Sequence, residues 1–319
     1  MDGLLIVDKP SGPTSHDVVA AVRRLVGSRA GHTGTLDPLA SGVLPVVVGR
    51  ATRLARFLSG AGKTYEATVR LGSNTDTCDA AGEPVGPPFE GAMPDAATID
   101  AALESFRGTF EQQPPVYSAK KIGGRPSYAL ARRARRQTGA LELDAPPSSP
   151  STRPLPVRVT AYRIDLIDVG GADVRLRLRC SAGFYVRALA HDLGAALGTG
   201  AHLAALRRTA IDGIDGEAVP LQALVDQDGR DTAARMLVPL GSMLRHLPAV
   251  TLLPESVPRA RAGRDLGEQE TSVGFREAAA GLVSRPTGHV RLLAPTGDLV
   301  AIAEAARTPG LLHPSIVLI

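Results

Sequence analysis

The pattern of apolar and polar residues in the first part of the chain predicts strands mixed with helices. Residues 4–7 form an apolar run that ends in a turn rich in proline and glycine, which indicates a buried strand. Thr14 and Ser15 are suitable N-cap residues for a helix that carries its valines on one face. Residues 43–48 are a second apolar run, and residues 64–71 alternate apolar and polar positions as a half-buried strand does.

The rest of the chain predicts further helices, a strand pair and a separate group of short strands. Helices are expected over residues 52–58, from Thr98 onward, over 127–137, after Tyr185, near 202–208 and near 221–226. Residues 157–169 and 173–181 are predicted to pair as strands, and the proline- and serine-rich residues 139–156 are predicted to be a flexible loop. Short apolar segments at 250–253, 290–293, 299–303 and 315–318 predict a small β-rich domain.

Composition limits the class of protein. Apolar residues make up 44% of the 319 residues, which is enough for a globular core, whereas aromatic residues are 3% and tryptophan is absent. Cys78 and Cys180 give neither a metal-ligand spacing nor a disulfide framework, so we expect a reducing compartment. No leader-like segment or membrane-length apolar run is found, so the cytoplasm is expected.

Positive charge is concentrated in one segment. The formal net charge is only +4, but residues 120–136 contain no acidic side chain. Their basic residues are Lys120, Lys121, Arg125, Arg132, Arg133, Arg135 and Arg136. Such a segment favours a polyanionic partner, with nucleic acid as the natural candidate, although a solvated face is the simpler interpretation. The same two interpretations stay open for the stripe of Arg175, Arg177 and Arg179 on a predicted strand.

One loop stands out as a site for chemistry. Residues 31–42 combine glycines, hydroxyl groups and the single carboxylate of Asp37 just before an apolar strand, which is a common way to present a reactive group from a rigid scaffold. The alternative is that Asp37 and Pro38 only begin a turn. A second glycine-rich segment, residues 60–64, resembles a nucleotide-binding P-loop, but Phe57 stands where that pattern requires glycine, and a strand rather than a helix follows.

Six motifs of the chain resemble, in order, those of the TruB family of tRNA pseudouridine synthases, over roughly residues 3–212. The motifs are Lys9-Pro10-Ser11-Gly12 with Thr14-Ser15, Gly31-His32-Thr33-Gly34-Thr35-Leu36-Asp37-Pro38, Thr75-Asp76-Thr77 with Asp79, Tyr117-Ser118-Ala119, Gly183-Phe184-Tyr185-Val186-Arg187, and Leu206-Arg207-Arg208. An accidental match of six ordered motifs is very improbable.

The resemblance implies an α+β fold. It consists of a pseudouridine synthase catalytic domain over residues 1–240, with a long mixed, mainly antiparallel sheet flanked by helices, and a small PUA-like RNA-binding domain over residues 247–319. The implied reaction is the isomerisation of uridine 55 in the T loop of tRNA. Because nothing is oxidised or consumed in that reaction, no cofactor, metal or nucleotide is implied. The implied partner is the T stem-loop, bound by a monomer and away from any membrane.

The resemblance also assigns catalytic roles. Asp37 is the implied nucleophile, since an ionised carboxylate can attack or help to remove a proton. Arg187 is the implied partner charge that keeps Asp37 ionised and oriented. Tyr65 is placed against the target uracil. From the residues alone, Arg187 would be an ordinary arginine on a helix surface and Tyr65 a core tyrosine.

Further residues of the resemblance concern the RNA. His32 matches the histidine that occupies the space left when the target base is flipped out of its loop, and Tyr185 and Leu206 match the wall of the uridine pocket. The residues interpreted as phosphate contacts are Lys9, Arg53, Lys120, Lys121, Arg207 and Arg208. Pattern alone would make His32 a hydrogen-bonding loop residue and the two wall residues part of the core.

Two other functions remain open at this point. One is a tRNA-binding folding chaperone with little or no catalysis, and the other is a relative that depends on guide RNA, as the dyskerin relatives do. The Pro/Ser-rich segment 139–156 also looks longer than the family pattern leads us to expect, which affects how the protein closes over tRNA.

Overall fold

A computed structural model of the chain describes residues 1–118, 120–122, 125–127, 154–284 and 288–318. Residues 128–137 of the predicted helix, most of the predicted loop at 139–156, and the arginines at 132, 133, 135 and 136 lie outside these residues. The contacts divide the chain into two compact units. We call Met1–Leu36, Leu44–Ser59 and Gly213–Ile319 the first unit, and Asp37–Val43 with Gly60–Asp212 the second unit.

The described elements alternate between strands and helices along the chain. The strands are β1 (Gly3–Lys9), β2 (Ala30–His32), β3 (Ser41–Val48), β4 (Lys63–Leu71), β5 (Asn74–Thr75), β6 (Pro84–Val85), β7 (Gly108–Gln112), β8 (Lys121–Ile122), β9 (Arg125–Pro126), β10 (Val157–Gly170), β11 (Asp173–Cys180), β12 (Ala201–Ile211), β13 (Val219–Pro220), β14 (Val238–Pro239), β15 (Ala249–Leu252), β16 (Thr271–Val273), β17 (Val290–Leu293), β18 (Leu299–Ala305) and β19 (Leu312–Val317). The α-helices are α1 (Ser15–Val26), α2 (Ala55–Ser59), α3 (Ala96–Leu103), α4 (Val186–Ala196), α5 (Leu221–Val225), α6 (Gly229–Met236), α7 (Val257–Arg261) and α8 (Phe275–Ser284).

The second unit is built on a mixed, mainly antiparallel sheet, which confirms the predicted type of fold. The first residues of β3 pair in parallel with β12, and the remaining pairs, β12 with β4, β4 with β11, β11 with β10 and β10 with β7, are antiparallel. Burial alternates along β4, so that Tyr65, Ala67, Val69 and Leu71 lie on the buried face as the sequence predicted. A strand with this alternation places one set of side chains in the core and the other towards solvent.

The prediction of a helix near residues 202–208 is wrong, because this segment is the middle of β12. The strand lies between β3 and β4 and has register shifts between Leu203 and Ala205 and between Arg208 and Ala210. Each shift interrupts the two-residue alternation of a strand. The resulting spacing of Leu203, Leu206 and the alanines imitates the pattern of one face of a helix.

The helix predicted after Tyr185 is confirmed as α4, which follows β11 and a turn at Gly183. Its predicted apolar side, Val186, Leu189, Ala190 and Leu193, is buried. The predicted helix after Thr98 is also present as α3, but the cap is different. Asp95 is the N-cap residue of α3, and its carboxylate accepts a hydrogen bond from the backbone nitrogen of Thr98 at 2.8 Å.

The first unit contains the N-terminal strands and a second sheet. β1 pairs in parallel with β13 and antiparallel with β14, while β2 pairs with the end of β3. Thr14 caps α1 through a reciprocal pair of hydrogen bonds with Asp17, as the sequence predicted for the cap.

The C-terminal part of the first unit is a five-stranded sheet with the order β16-β15-β17-β18-β19. Its core includes Val250, Leu252, Val290, Leu292, Val300 and Leu312, together with residues of α8. The predicted C-terminal β-rich region is therefore confirmed, whereas its PUA-like assignment and the predicted domain boundaries stay predictions. Within the described residues, no helix is long and apolar enough to cross a membrane.

Candidate active site

Asp37 is part of the second unit and lies in the loop that precedes β3. The peptide oxygen of Asp37 accepts a hydrogen bond from the nitrogen of Ala40 at 3.1 Å, so the residue does begin a turn. Its carboxylate nevertheless has a specific partner, since Oδ2 accepts a hydrogen bond from Nε of Arg187 at 2.8 Å. The Asp37 side chain is 39% exposed, which leaves the carboxylate accessible to a ligand.

Arg187 connects three segments that are distant in sequence. It lies in the first turn of α4 with 7% of its side chain exposed. Besides its bond to Asp37, it donates from Nη1 to the peptide oxygen of Thr77 at 3.1 Å and from Nη2 to that of Tyr117 at 2.9 Å. Two backbone acceptors therefore fix the plane of the guanidinium, and the third bond orients the carboxylate.

Asp79 is a third charged residue of this cluster, and sequence reasoning gave it no role. Its Oδ2 lies 3.7 Å from Nε of Arg187, and its side chain is 8% exposed. Oδ1 accepts hydrogen bonds from Oγ1 of Thr77 at 2.6 Å and from the nitrogen of Ala81 at 3.1 Å. A buried cation between two carboxylates is better compensated than one paired with a single carboxylate. The motif around Asp79 was recognised, but nothing in the sequence pairs it with Arg187.

Tyr65 is buried on β4, directly opposite Arg208 of β12. Burial raises the pKa of the Tyr65 hydroxyl, and the charge and hydrogen bond of the Arg208 guanidinium act in the opposite direction. Arg208 is fully buried and also donates from Nε to the peptide oxygen of Val43 at 2.7 Å. Arg208 therefore lies in the core of the second unit, and the phosphate contact predicted for it stays a prediction.

Tyr185 lies at the start of α4 and is half-buried. Burial raises the pKa of its hydroxyl, and the positive charge of Arg187 opposes this effect. The negative charge of Asp37 adds to the increase in pKa of both Tyr185 and Tyr65, as expected for two phenols near one carboxylate. The structure therefore brings Asp37, Arg187, Tyr65 and Tyr185 together. Leu206 is half-buried on β12, opposite Ala67 of β4.

Three of the predicted RNA contacts belong to the first unit. Lys9 is fully buried, and its Nζ donates to the peptide oxygens of Pro10 at 2.9 Å and Pro13 at 2.8 Å. It holds its own turn, and its phosphate contact stays a prediction. His32 ends β2 and packs edge to face against His16, with ring centroids 5.4 Å apart. Arg53 is exposed and hydrogen-bonds the peptide oxygen of Val317.

The remaining predicted phosphate contacts belong to the second unit. Arg207 is exposed on β12 and Lys120 is half-buried, whereas the side chain of Lys121 lies outside the described part of the chain. The arginine stripe on β11 forms exposed ion pairs, in which Arg175, Arg177 and Arg179 contact Asp168, Glu66 and Asp212. This pairing favours the interpretation of the stripe as a solvated face.

The cluster offers charges and hydrogen bonds rather than metal ligands. In the ranges that the structure describes, no group of three or more His, Cys, Asp or Glu side chains is arranged to hold a metal ion. What the cluster presents is one accessible carboxylate, a buried arginine that fixes it and two phenol rings nearby. This arrangement suits nucleophilic or proton-transfer chemistry on a planar ligand.

Comparisons with known proteins agree on one family. Residues 23–186 match the model described as "TruB family pseudouridylate synthase (N terminal domain)", and residues 187–245 match "tRNA pseudouridylate synthase B C-terminal domain". The tRNA pseudouridine synthase B of Solibacter usitatus is 42% identical over 320 residues, covering 100% of both chains. That of Azoarcus sp. is 42% identical over 278 residues, covering 86% of each.

Solved structures give the same picture. A chain in the structure of an H/ACA RNP bound to a substrate RNA containing 2′-deoxyuridine matches 99% of this chain and 85% of its own length, with a TM-score of 0.67 and 25% identity. A chain in an archaeal box H/ACA sRNP complex matches 99% of this chain and 86% of its own length, with a TM-score of 0.66 and 27% identity.

Proposed function

Since the chain belongs to the TruB family of pseudouridylate synthases, we propose that it converts uridine 55 in the T loop of tRNA to pseudouridine without a cofactor. The observation that carries this proposal is the 2.8 Å hydrogen bond between Arg187 and Asp37, because it joins two of the six family motifs into one charged pair. Relatives of matching length named tRNA pseudouridine synthase B support tRNA as the substrate.

In this proposal Asp37 attacks the target nucleotide as an ionised carboxylate. Arg187 supplies a positive charge and a hydrogen bond that point the carboxylate in one direction. Because two backbone oxygens hold the guanidinium, little reorganisation is needed when substrate enters. Asp79 completes the charge balance on the buried side of Arg187.

The target uracil is proposed to lie between aromatic and aliphatic side chains. Tyr65 stacks on the base, and Tyr185 and Leu206 form the wall of its pocket. His32 fills the space that the target base leaves in the T loop when it is flipped out. Flipping the base costs a few kcal/mol, which contacts between the protein and the flipped nucleotide must offset. Basic side chains then contact phosphates and position the tRNA without reading its sequence. For this role we retain Arg53, Lys120, Lys121 and Arg207.

Tritium release tests the catalytic claim. Unmodified tRNA carrying 5-tritiated uridine loses its label to water when carbon 5, after joining the ribose, gives up its hydrogen as a proton. The wild-type protein is expected to release tritium, and Asp37→Asn is expected to be slower by at least about 1,000-fold because the amide is a poor nucleophile. If the wild type releases no more tritium than Asp37→Asn while both proteins bind tRNA equally, the enzymatic assignment is wrong. The tRNA-binding chaperone would then be the remaining candidate.

Guide dependence is the second candidate, and the likeness to chains of H/ACA complexes is the observation that favours it. It is tested by omitting guide RNA from the reaction with a T stem-loop transcript. We expect full activity without guide, given the 42% identity to enzymes named for tRNA. Binding is also expected to weaken steeply with salt, because phosphate contacts release counterions.

The remaining parts of the proposal concern the whole protein. We propose that it acts as a monomer in the cytoplasm, where unmodified tRNA is found, and that the C-terminal sheet is a PUA-like RNA-binding domain. Gel filtration with light scattering, with and without tRNA, measures the oligomeric state directly. A dimer in both samples would contradict it.

A further inference from the structure

A buried glutamine contacts the backbone at the start of the active-site helix. Gln112 is the last residue of β7, the outermost strand of its sheet, and is 1% exposed. Its Nε2 donates to the peptide oxygen of Tyr185 at 3.0 Å, and its Oε1 accepts from the peptide nitrogen of Tyr185 at 2.8 Å. The nitrogen and the oxygen of the Gln112 carboxamide therefore both hydrogen-bond to the backbone of Tyr185.

The residue held in this way controls where the helix begins. Tyr185 is the N-cap residue of α4 and has extended backbone angles, φ −109° and ψ 108°. Its peptide oxygen also accepts the helical hydrogen bond from the nitrogen of Leu189 at 3.2 Å. Tyrosine is not one of the short polar residues that usually cap a helix. The carboxamide of Gln112 provides a tertiary contact at the point where such a cap would act.

A second contact from the same strand acts on the neighbouring residue. Phe110, two positions before Gln112 on β7, packs edge to face against Phe184, with ring centroids 6.0 Å apart. Residues two apart on a strand share one face. One face of β7 therefore contacts Phe184 through the ring of Phe110 and Tyr185 through the carboxamide of Gln112. These contacts hold two neighbouring residues at the start of α4.

This entry carries the active-site side chains. Arg187 follows Tyr185 by two residues, and its three hydrogen bonds, to Asp37, Thr77 and Tyr117, have lengths between 2.8 and 3.1 Å. A change of about 1 Å in the position of the helix start would break or stretch these bonds, and misplacement on that scale can cost about 100-fold in rate.

We infer that Gln112 is a positioning residue of the active site, which holds the backbone of Tyr185 so that the Tyr185 ring and the Arg187 guanidinium face the substrate correctly. This inference rests on the proposed pseudouridine synthase activity for its kinetic readout. It also makes a claim about the position of Tyr185 that holds without any activity.

Gln112→Glu is the sharpest variant, since it changes one donor into a carboxylate oxygen. When ionised, the new side chain can still accept from the nitrogen of Tyr185 but repels its oxygen. When protonated, it has the shape and the donor of the original amide. Position 112 is buried, so the pKa of a carboxyl placed there is expected to lie above its ordinary value of about 4.3. We expect the single-turnover rate to fall about 10-fold to about 100-fold near pH 8, and to recover towards the wild-type rate at the same pH as the pH is lowered to about 5.5. The affinity for tRNA is expected to stay within about two-fold, because Gln112 does not contact RNA in this account.

Two further variants complete the kinetic test. Glu111→Gln, an exposed change at the adjacent position, is the control and is expected to match the wild-type rate at every pH. Gln112→Met removes both hydrogen bonds at similar size, and its rate should fall without recovering at low pH. If Gln112→Glu does not fold, Gln112→Met shows whether the single-turnover rate falls while the affinity for tRNA is kept. Rates equal to wild type at all pH values, or parallel loss of rate, binding and stability, would overturn the inference.

A spectroscopic measurement separates this inference from the proposed function. The chain has five tyrosines, so fluorotyrosine labelling gives few ¹⁹F resonances, and Tyr185→Phe assigns that of Tyr185. Gln112→Glu is expected to shift this resonance at pH 8, whereas Glu111→Gln leaves it in place. An inactive wild-type protein with this shift would refute the proposed function alone. An active wild-type protein without the shift would refute the positioning role.

Discussion

Arg187 is the residue on which the geometry of the site depends most. It joins the carboxylate of Asp37 to two peptide oxygens while almost entirely buried. A planar guanidinium can satisfy three acceptors in one plane, whereas an ammonium group is a point charge on a flexible stem. The charge and the fork geometry are therefore separate contributions to the site.

Arg187→Lys tests the contribution of the fork. The charge is retained, but at least one peptide oxygen loses its donor and the carboxylate loses its fixed orientation. We expect the single-turnover rate to fall about 100-fold while the affinity for tRNA changes little. Arg175→Lys, in an exposed ion pair, is the matched control and should be neutral. A rate unchanged by Arg187→Lys would show that charge alone is sufficient.

Single residues also show how far the sequence could predict the site. Asp37 and Arg187 were found because each lies in a recognisable motif. Asp79 and Gln112 were missed because their roles are contacts with residues far along the chain, and no periodicity encodes such a contact. The burial of Lys9 and Arg208 was not predictable for a related reason, since the tendency of basic side chains to lie on the surface does not hold where buried oxygens accept their hydrogen bonds.

At the scale of elements, β12 is where sequence patterns were least informative. Strands with clean alternation, such as β4 and β11, were predicted close to their observed bounds. The sequence of β12 predicts a helix because the two register shifts of the strand disturb its alternation. The close approach of β3 to β12 depends on Gly42, which has φ +100° and would place a Cβ 2.2 Å from the peptide oxygen of Arg208.

Gly42→Ala is therefore expected to destabilise the protein strongly. The left-handed backbone is unfavourable for alanine, and the methyl group has no space against the strand backbone. We expect the free energy of unfolding to fall by about 2 kcal/mol or more in urea denaturation. Gly60→Ala, at a glycine with nothing within 4 Å of the added Cβ, serves as the control and should change stability little. Equal effects of the two substitutions would contradict the tight contact between β3 and β12.

At the scale of the whole molecule, buried ionisable groups make stability depend on pH. Burial raises the pKa of the Cys180 thiol from 9.0 to about 12 and that of Cys78 to about 11. In the unfolded chain the thiols lose their protons from about pH 9, whereas in the folded protein they keep them to higher pH. The folded state then binds more protons, so this contribution to stability is present below pH 9 and is lost as the pH rises from about 9 to about 12.

Cys180→Ala isolates one of these groups. Between about pH 8 and about pH 10.5, the free energy of unfolding of the wild type should fall by on the order of 2 kcal/mol more than that of the variant. The comparison uses the slope against pH, so the cavity left by alanine does not affect it. Parallel slopes for the two proteins would show that Cys180 ionises normally when folded.

In the proposed function, a single carboxylate held by Arg187 makes pseudouridine at one position of tRNA. Pseudouridine can be mapped position by position after the purified protein is incubated with an unmodified tRNA transcript and no guide RNA. We expect one modified position, uridine 55, and no modification there when Asp37→Asn replaces the wild type. Modification at other positions only, or an unmodified transcript with the wild-type protein, would contradict it.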